Sequence, residues 1–191
     1  VDLTSRRWRY GDLAIDGGSG NDVLWSSSGN DVLAGTDGND MLDGSGGNDL
    51  LLGGADHDVL KEHDGDGLLV GGAGDDTLVP GSGANLVLFN RGDGNDAVRA
   101  DASGQTAVSL GGGIDYDDLA LSRTGNDLRL ATGHGEALTF ADWYAARPVR
   151  TITQLQVFGE AMRAFEAGGS DPLRNRRVQA FDFAALASEF E

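Results

Sequence analysis

Residues Gly17–Leu88 read GGSGNDVLW, SSSGNDVLA, GTDGNDMLD, GSGGNDLLL, GGADHDVLK, EHDGDGLLV, GGAGDDTLV, PGSGANLVL, eight nine-residue units in one unbroken register. Asp22, Asp31, Asp40, Asp49, Asp58 and Asp76 occupy one column of the repeat. Two residues later stands a column of leucines, Leu24, Leu33, Leu42, Leu51, Leu60, Leu69 and Leu78. One fixed carboxylate and one fixed apolar residue per unit describe a stack: the leucines form a continuous core and the carboxylates a line of oxygens outside it. The glycines at the first, second and fourth positions permit tight turns with exposed carbonyls. After each Asp, an x-Leu-x stub is long enough for one short strand whose middle side chain points inward. Two units then make one coil of turn, strand, turn, strand, so odd-numbered turns stack on one side and even-numbered turns on the other. An Asp carboxylate among neutral carbonyls is the all-oxygen ligation that suits a hard cation such as calcium.

The repeat resembles the RTX, or haemolysin-type, calcium-binding nonapeptide, G-G-x-G-x-D-x-U-x. The resemblance covers residues 17–88, with a frayed ninth unit at Arg91–Asp96, RGDGND. It implies an all-β fold: a calcium-bound parallel β-roll with two nonapeptides per coil, followed by an antiparallel β cap and one or two C-terminal helices. It also implies a ligand map. In RTX rolls each calcium lies between turns eighteen residues apart. It takes the carbonyls of the second and fourth residues and the Asp of the earlier turn, and the carbonyls of the first and third residues and the Asp of the later one. Carried over, one site uses Gly18, Gly20, Asp22, Gly35, Asp37 and Asp40. The next uses Thr36, Gly38, Asp40, Gly53, Ala55 and Asp58, and a third Gly54, Asp56, Asp58, Gly71, Ala73 and Asp76. A fourth joins Gly72, Gly74 and Asp76 to Arg91, Asp93 and Asp96. On the even side Ser27, Gly29 and Asp31 pair with Gly44, Gly46 and Asp49.

The pattern breaks on the even side. Unit six carries Gly67 in the Asp column, with Asp66 displaced by one, and unit eight carries Asn85 there and Pro80 at its first position. That side is expected to be metal-poor beyond its first site, giving about five calcium ions in all. The pairing of Gly47 with Glu62 is not counted among them, and the Gly65–Asn85 pairing is expected to be empty.

The chain has 14 basic and 31 acidic residues, net charge −17. From Gly17 to Asp96 there are 15 acidic and 2 basic residues, so −13 of that charge lies in the repeats. Glycine-rich, strongly acidic and poor in large apolar residues, this segment has the composition of a disordered chain. Cation binding and folding are therefore expected to be one event.

Past Ala97 the period of nine is lost. Residues 106–140 read as short antiparallel strands, with Leu119, Leu121, Leu128 and Leu130 flanking a TGND turn as in a hairpin. This stretch resembles the domain that follows RTX repeats and covers the open end of the roll, where Trp143 and Tyr144 would be packing anchors. Residues 151–168 read as a helix, with Thr151 and Gln154 as capping box and Leu155, Phe158, Met162 and Phe165 as apolar stripe, stopped by Gly168 and Gly169. A second short helix is expected from about Phe183 to Phe190, capped by Asp182 and presenting Phe183, Leu186 and Phe190. Arg174, Arg176 and Arg177 form a small basic cluster, read as a solvated loop or an internal ion pair. The expected division is thus a lead-in over 1–16, a β-roll over 17–98, a β cap over 99–150 and a helical tail over 151–191.

There is no cysteine, so neither disulfides nor thiolate metal sites arise. Neither a signal-peptide h-region nor an apolar stretch of about 20 residues is seen, and the chain is read as an excised fragment. No HExxH, GxSxG or P-loop occurs, and His57, His63 and His134 lack metal-ligand spacing, so no catalysis is expected. RTX proteins resemble one another in leaving Gram-negative cells unfolded through a type I channel and folding outside on calcium. The expectation is therefore a monomeric calcium-binding module of a secreted toxin or exoprotein, with calcium and the type I secretion apparatus as partners. No nucleic acid is expected, and membrane or host-receptor contact is left open. The alternatives are a calcium-rigidified adhesin module and the C-terminal tail of a secreted hydrolase.

Overall fold

In a computed structural model, described for residues 11–100, 103–146, 150–158, 167, 170 and 177–189, the repeats wind into a two-sheet solenoid. One sheet receives the strands that follow even turns: β1 (Ala14–Ser19), β3 (Val32–Asp37), β5 (Leu50–Ala55), β7 (Leu68–Ala73) and β9 (Gly83–Phe89). The other receives β2 (Val23–Trp25), β4 (Met41–Asp43), β6 (Val59–Lys61), β8 (Thr77–Val79) and β10 (Asn95–Val98). All neighbours within these two series are parallel, and Leu24, Leu42 and Leu60 stand opposite one another, as do Leu33, Leu51 and Leu69. The register follows from the period itself: eighteen residues per coil bring the same repeat position to the same place one strand over.

The leucine column is the core. Leu24 through Leu78 are each at most 1% exposed, and Val87 and Val98 continue the two lines. Each such burial contributes about 1.5–3 kcal/mol, and every coil contributes the same pair. No coil has a core of its own, so stability is shared between neighbours. The step from Leu78 to Val98 is two residues longer than the repeat, because Phe89 and Asn90 intervene before the ninth unit.

Both sheets then grow past the repeats. β11 (Gly104–Leu110) adds in parallel to β9, β15 (Ile152–Val157) adds in parallel to β11, and β16 (Gln179–Asp182) closes that sheet antiparallel. On the other sheet β14 (Glu136–Phe140) lies parallel to β10, with β13 (Asp127–Gly133) and β12 (Ala120–Thr124) antiparallel beyond it. The predicted hairpin is β12–β13, with Leu121 opposite Leu130 and Gly125 at φ 62° in its two-residue turn, a conformation glycine adopts without strain. The expectation of antiparallel pairing throughout 106–140 is corrected at β11, whose apolar side chains extend the parallel ladder.

The helix expected over 151–168 is corrected over its first part: residues 152–157 are strand. Thr151, Ile152, Thr153 and Val157 are β-branched, and the otherwise open edge of β11 supplies a parallel partner that outweighs a weak 3.6-residue pattern. Leu155 is buried, whereas Phe158 is 39% exposed. Met162, Phe165, Gly168 and Gly169 lie outside the described residues, as do Arg174 and Arg176 of the basic cluster. The terminal helix α1 (Phe183–Ser188) is present, and the Asp182 carboxylate accepts the Ala185 N–H at 3.0 Å. Its buried face is Phe183 and Ala187, one turn apart, and not Leu186, which is exposed; Phe190 lies outside the described residues.

Phe183 enters an aromatic cluster, 4.8 Å from Phe140 and 5.4 Å from Trp143 between ring centroids. Trp143 is fully buried, and Tyr144 lies against the core with the Arg123 guanidinium 4.4 Å from its ring centroid. Both therefore pack as anchors.

One side chain ties this end to the roll. Arg91, in the ninth turn, donates to the Thr132 carbonyl at 2.7 Å and to Asp118 at 2.6 Å, and reaches Glu136 at 3.4 Å. Arg91→Ala should lower the thermal midpoint of the calcium-loaded chain by about 3–6 °C, measured by calorimetry. The number of bound ions should not change, because only the backbone carbonyl of Arg91 is in the expected ligand set.

Candidate metal centre

From Asp40 to Asp96, each repeat Asp of the odd-numbered turns splits its two oxygens between two tasks. On the odd face, Oδ1 of Asp40 accepts the backbone N–H of Asp22 at 2.7 Å. Asp58 does the same for Asp40, Asp76 for Asp58 and Asp96 for Asp76, at 2.8, 2.8 and 3.0 Å. The second oxygen, Oδ2, of Asp22, Asp40, Asp58, Asp76 and Asp96 is buried and has no hydrogen-bond partner. A buried carboxylate oxygen without a partner costs several kcal/mol, and here one recurs on every rung of a single face.

The glycines leave the space those oxygens face. A methyl group on Gly35 would run into Asp40 Oδ2 and the Gly53 carbonyl; on Gly53, into Asp58 Oδ2 and the Gly71 carbonyl; on Gly71, into Asp76 Oδ2. Each first-position glycine therefore faces a carboxylate of its own turn, and at Gly35 and Gly53 the first carbonyl of the next coil as well. The expected ligand carbonyls of Asp37, Ala55 and Asp93 each accept one amide, from Gly20, Gly38 and Gly74, which leaves each a second lone pair. The carbonyls of Thr36, Gly54, Asp56 and Gly74 lie against the backbone of the coil above, where only Gly54, Gly72, Gly74 and Gly94 fit. Thr36 and Asp56 hold φ of 89° and 74°, a costly conformation for side chains that are not glycine, of the kind found at functional turns.

The even face differs rung by rung. Asp49 Oδ1 accepts the Asp31 N–H at 2.8 Å, and its Oδ2 is buried without a partner. Asp31 Oδ1 accepts from Leu13, and its Oδ2 takes the Ser27 N–H at 3.4 Å. The Gly44 carbonyl accepts the Ser26 hydroxyl at 2.8 Å, and the Ser27 carbonyl accepts Gly46 N–H. Gly29 lies against Asp31 Oδ1, so the six residues expected to pair here do come together. In unit eight, Asn85 keeps the structural half of the Asp role, its Oδ1 accepting Gly67 N–H at 2.8 Å. Its Nδ2 donates to the Gly81 and Ser82 carbonyls at 3.1 and 3.2 Å, which gives those oxygens a donor in place of a cation.

A second ladder escaped the sequence reading. The residue before each Asp accepts the N–H of its counterpart in the next coil: Asn21 from Asn39, Asn39 from His57, His57 Nδ1 from Asp75, and Asp75 from Asn95. Asn30, Asn48 and Asp66 continue it on the even face. The column N, N, N, N, H, D, D was the available signal, since each of these side chains can accept a hydrogen bond.

Burial dominates the electrostatics. It pushes the carboxyl of Asp58 up to about 7, of Asp76 and Asp49 to about 6, and of Asp96 and Glu62 to about 8, with neighbouring carboxylates adding to the rise. A carboxyl raised in the folded state above its unfolded value near 4 stabilises the fold fully below that value, and the contribution is lost as pH rises through about 6–8. In chelator, the β signal in circular dichroism should therefore be larger at pH 5 than at pH 8. With calcium the order should reverse, because the ion requires deprotonated ligands.

Among the described residues no three His, Cys, Asp or Glu side chains gather into a metal cluster. The donor set is carboxylate pairs with backbone carbonyls, which fits calcium and not zinc. The family model described as RTX calcium-binding nonapeptide repeat (4 copies) matches residues 14–33, 25–60 and 64–87. No curated protein matches the chain.

Proposed function

We propose, from the match of residues 14–60 and 64–87 to the RTX calcium-binding nonapeptide repeat model, that the roll is a calcium-operated folding module of a secreted bacterial toxin or exoprotein. RTX repeats are calcium-binding segments of secreted proteins, and no described helix is long and apolar enough to cross a membrane. The observation that carries the reading is the line of buried Oδ2 atoms without partners on Asp22, Asp40, Asp58, Asp76 and Asp96.

The proposed odd-face sites are the four sets named above, and successive sites share Asp40, Asp58 and Asp76. With the Asp31–Asp49 site on the even face they make about five ions. Without cations the buried carboxylates repel one another and the roll does not form. With calcium near millimolar, as outside cells, metal binding supplies the folding free energy. Inside the producing cell, where calcium is low, the chain stays unfolded and passes through a type I channel; folding outside then prevents its return. The strands beyond the repeats cover the end of the roll and its Leu column. Catalysis is assigned to none of these residues.

Small-angle scattering tests the reading. In chelator the radius of gyration should be close to that of an unfolded chain of this length, about 47 Å, and in millimolar calcium it should fall toward about 16 Å, the compact limit. The same compact radius in both conditions would contradict it.

A further inference from the structure

Unit six exchanges the two ends of its turn. Where units one, three, four, five and seven have Gly at the first position of the turn and Asp at the sixth, it reads EHDGDG, with Glu62 first and Gly67 sixth. The family match breaks at residues 61–63, around Glu62, and resumes over 64–87, which includes Gly67. The turn's geometry shows why the exchange can be compensating. In the odd turns the missing Cβ of the first residue points at the carboxylate of the sixth, as at Gly35, Gly53 and Gly71. A long side chain at position one can therefore enter, from the opposite end, the volume that the Asp at position six normally fills.

Glu62 does this. A Cβ on Gly67 would lie 2.8 Å from Glu62 Cγ and 2.9 Å from its Oε2, so the Glu62 carboxylate occupies the absent Asp's place. A Cβ on Gly44, one coil earlier, would meet Asp49 Oδ2 and, at 2.8 Å, Glu62 Oε2. The two carboxylates thus converge on the same glycine. Glu62 is 2% and Asp49 3% exposed, and Glu62 Oε1, Glu62 Oε2 and Asp49 Oδ2 are all buried with no hydrogen-bond partner other than one another. Among the described residues no lysine or arginine forms an ion pair with either group.

We propose that Glu62 replaces the missing aspartate of unit six and, with Asp49, holds a further calcium ion between the turns that begin at Gly44 and Glu62. This rests on the calcium reading of the roll. The even face would then carry two consecutive sites sharing Asp49, and end at Asn85, whose amide occupies its own carbonyls.

Native mass spectrometry of the full chain at saturating calcium tests this through the ion count. Glu62→Gln should bind one ion fewer than the native chain. The double variant Glu62→Gly/Gly67→Asp should recover that ion, because it restores the repeat's aspartate and removes the side chain that this aspartate would strike. Equal ion numbers in the native chain and Glu62→Gln, with the calcium midpoint unchanged, would overturn the proposal. So would an unchanged count in a Glu62→Gln chain with a larger residual β signal in chelator, since the pair would then be sharing only a proton. A native chain that binds no calcium would instead overturn the reading of the whole roll.

Discussion

Asp58→Ala should bind at least two fewer calcium ions than the native chain and should need severalfold more calcium to fold. Asp58 is the shared carboxylate of two proposed sites, the one below it with Asp40 and the one above with Asp76. Its Oδ1 also accepts the Asp40 N–H at 2.8 Å, so truncation strands a buried amide as well as two cations. Removing one partner from a buried charged cluster costs about 3–5 kcal/mol, and that loss falls on the calcium-loaded state. In chelator the sign changes. The Asp58 carboxyl is raised to about 7 chiefly by burial, so an ionised Asp58 destabilises the metal-free roll at pH 8, and alanine relieves that repulsion. The residual β signal in chelator should therefore rise in Asp58→Ala, while the stability of the calcium-loaded roll, measured by denaturant titration, falls. Asp58→Asn should separate the two roles. Asn85 shows an amide keeping the interstrand bond while its Nδ2 occupies the carbonyls, so the asparagine variant should preserve the rung and lose the ions.

Leu51→Ala should destabilise the loaded roll by about 2–5 kcal/mol while leaving its ion count at saturation unchanged. Leu51 is fully buried and stands between Leu33 and Leu69 in the ladder. A solenoid core is one side chain deep at this point, so a cavity there has few neighbours able to collapse into it. The coils on either side meet through it and its counterparts, and the loss should therefore reduce cooperativity as well as stability. Asp58→Ala thus lowers stoichiometry and Leu51→Ala only the midpoint, both readable from one calcium titration.

The parts of the fold that were legible in the sequence are those set by period. A carboxylate every nine residues and a leucine two places on dictate stacked turns and a linear core, and the structure has both. The β12–β13 hairpin was legible because its turn is local, TGND between alternating leucines. What could not be read depends on distant partners. Ile152–Val157 carries helix-compatible spacing and becomes a strand because β11 offers an edge more than forty residues earlier in the chain. β11 itself is parallel because β9 is, which no local pattern announces. At the site, the Asp column was legible and the division of labour between Oδ1 and Oδ2 was not, since it needs the coil-to-coil offset. Glu62 was hidden for a related reason: a residue at the wrong position of the repeat reads as a defect until the turn shows that positions one and six face the same space.

Whether folding and calcium binding are one event is tested most directly by a far-UV circular dichroism titration of the chain with calcium, with magnesium as control. A steep coil-to-β transition is predicted with calcium, and none with magnesium, which demands octahedral geometry and keeps its water. A chain already rich in β structure in chelator at pH 8, or one that responds equally to magnesium, would contradict coupled folding.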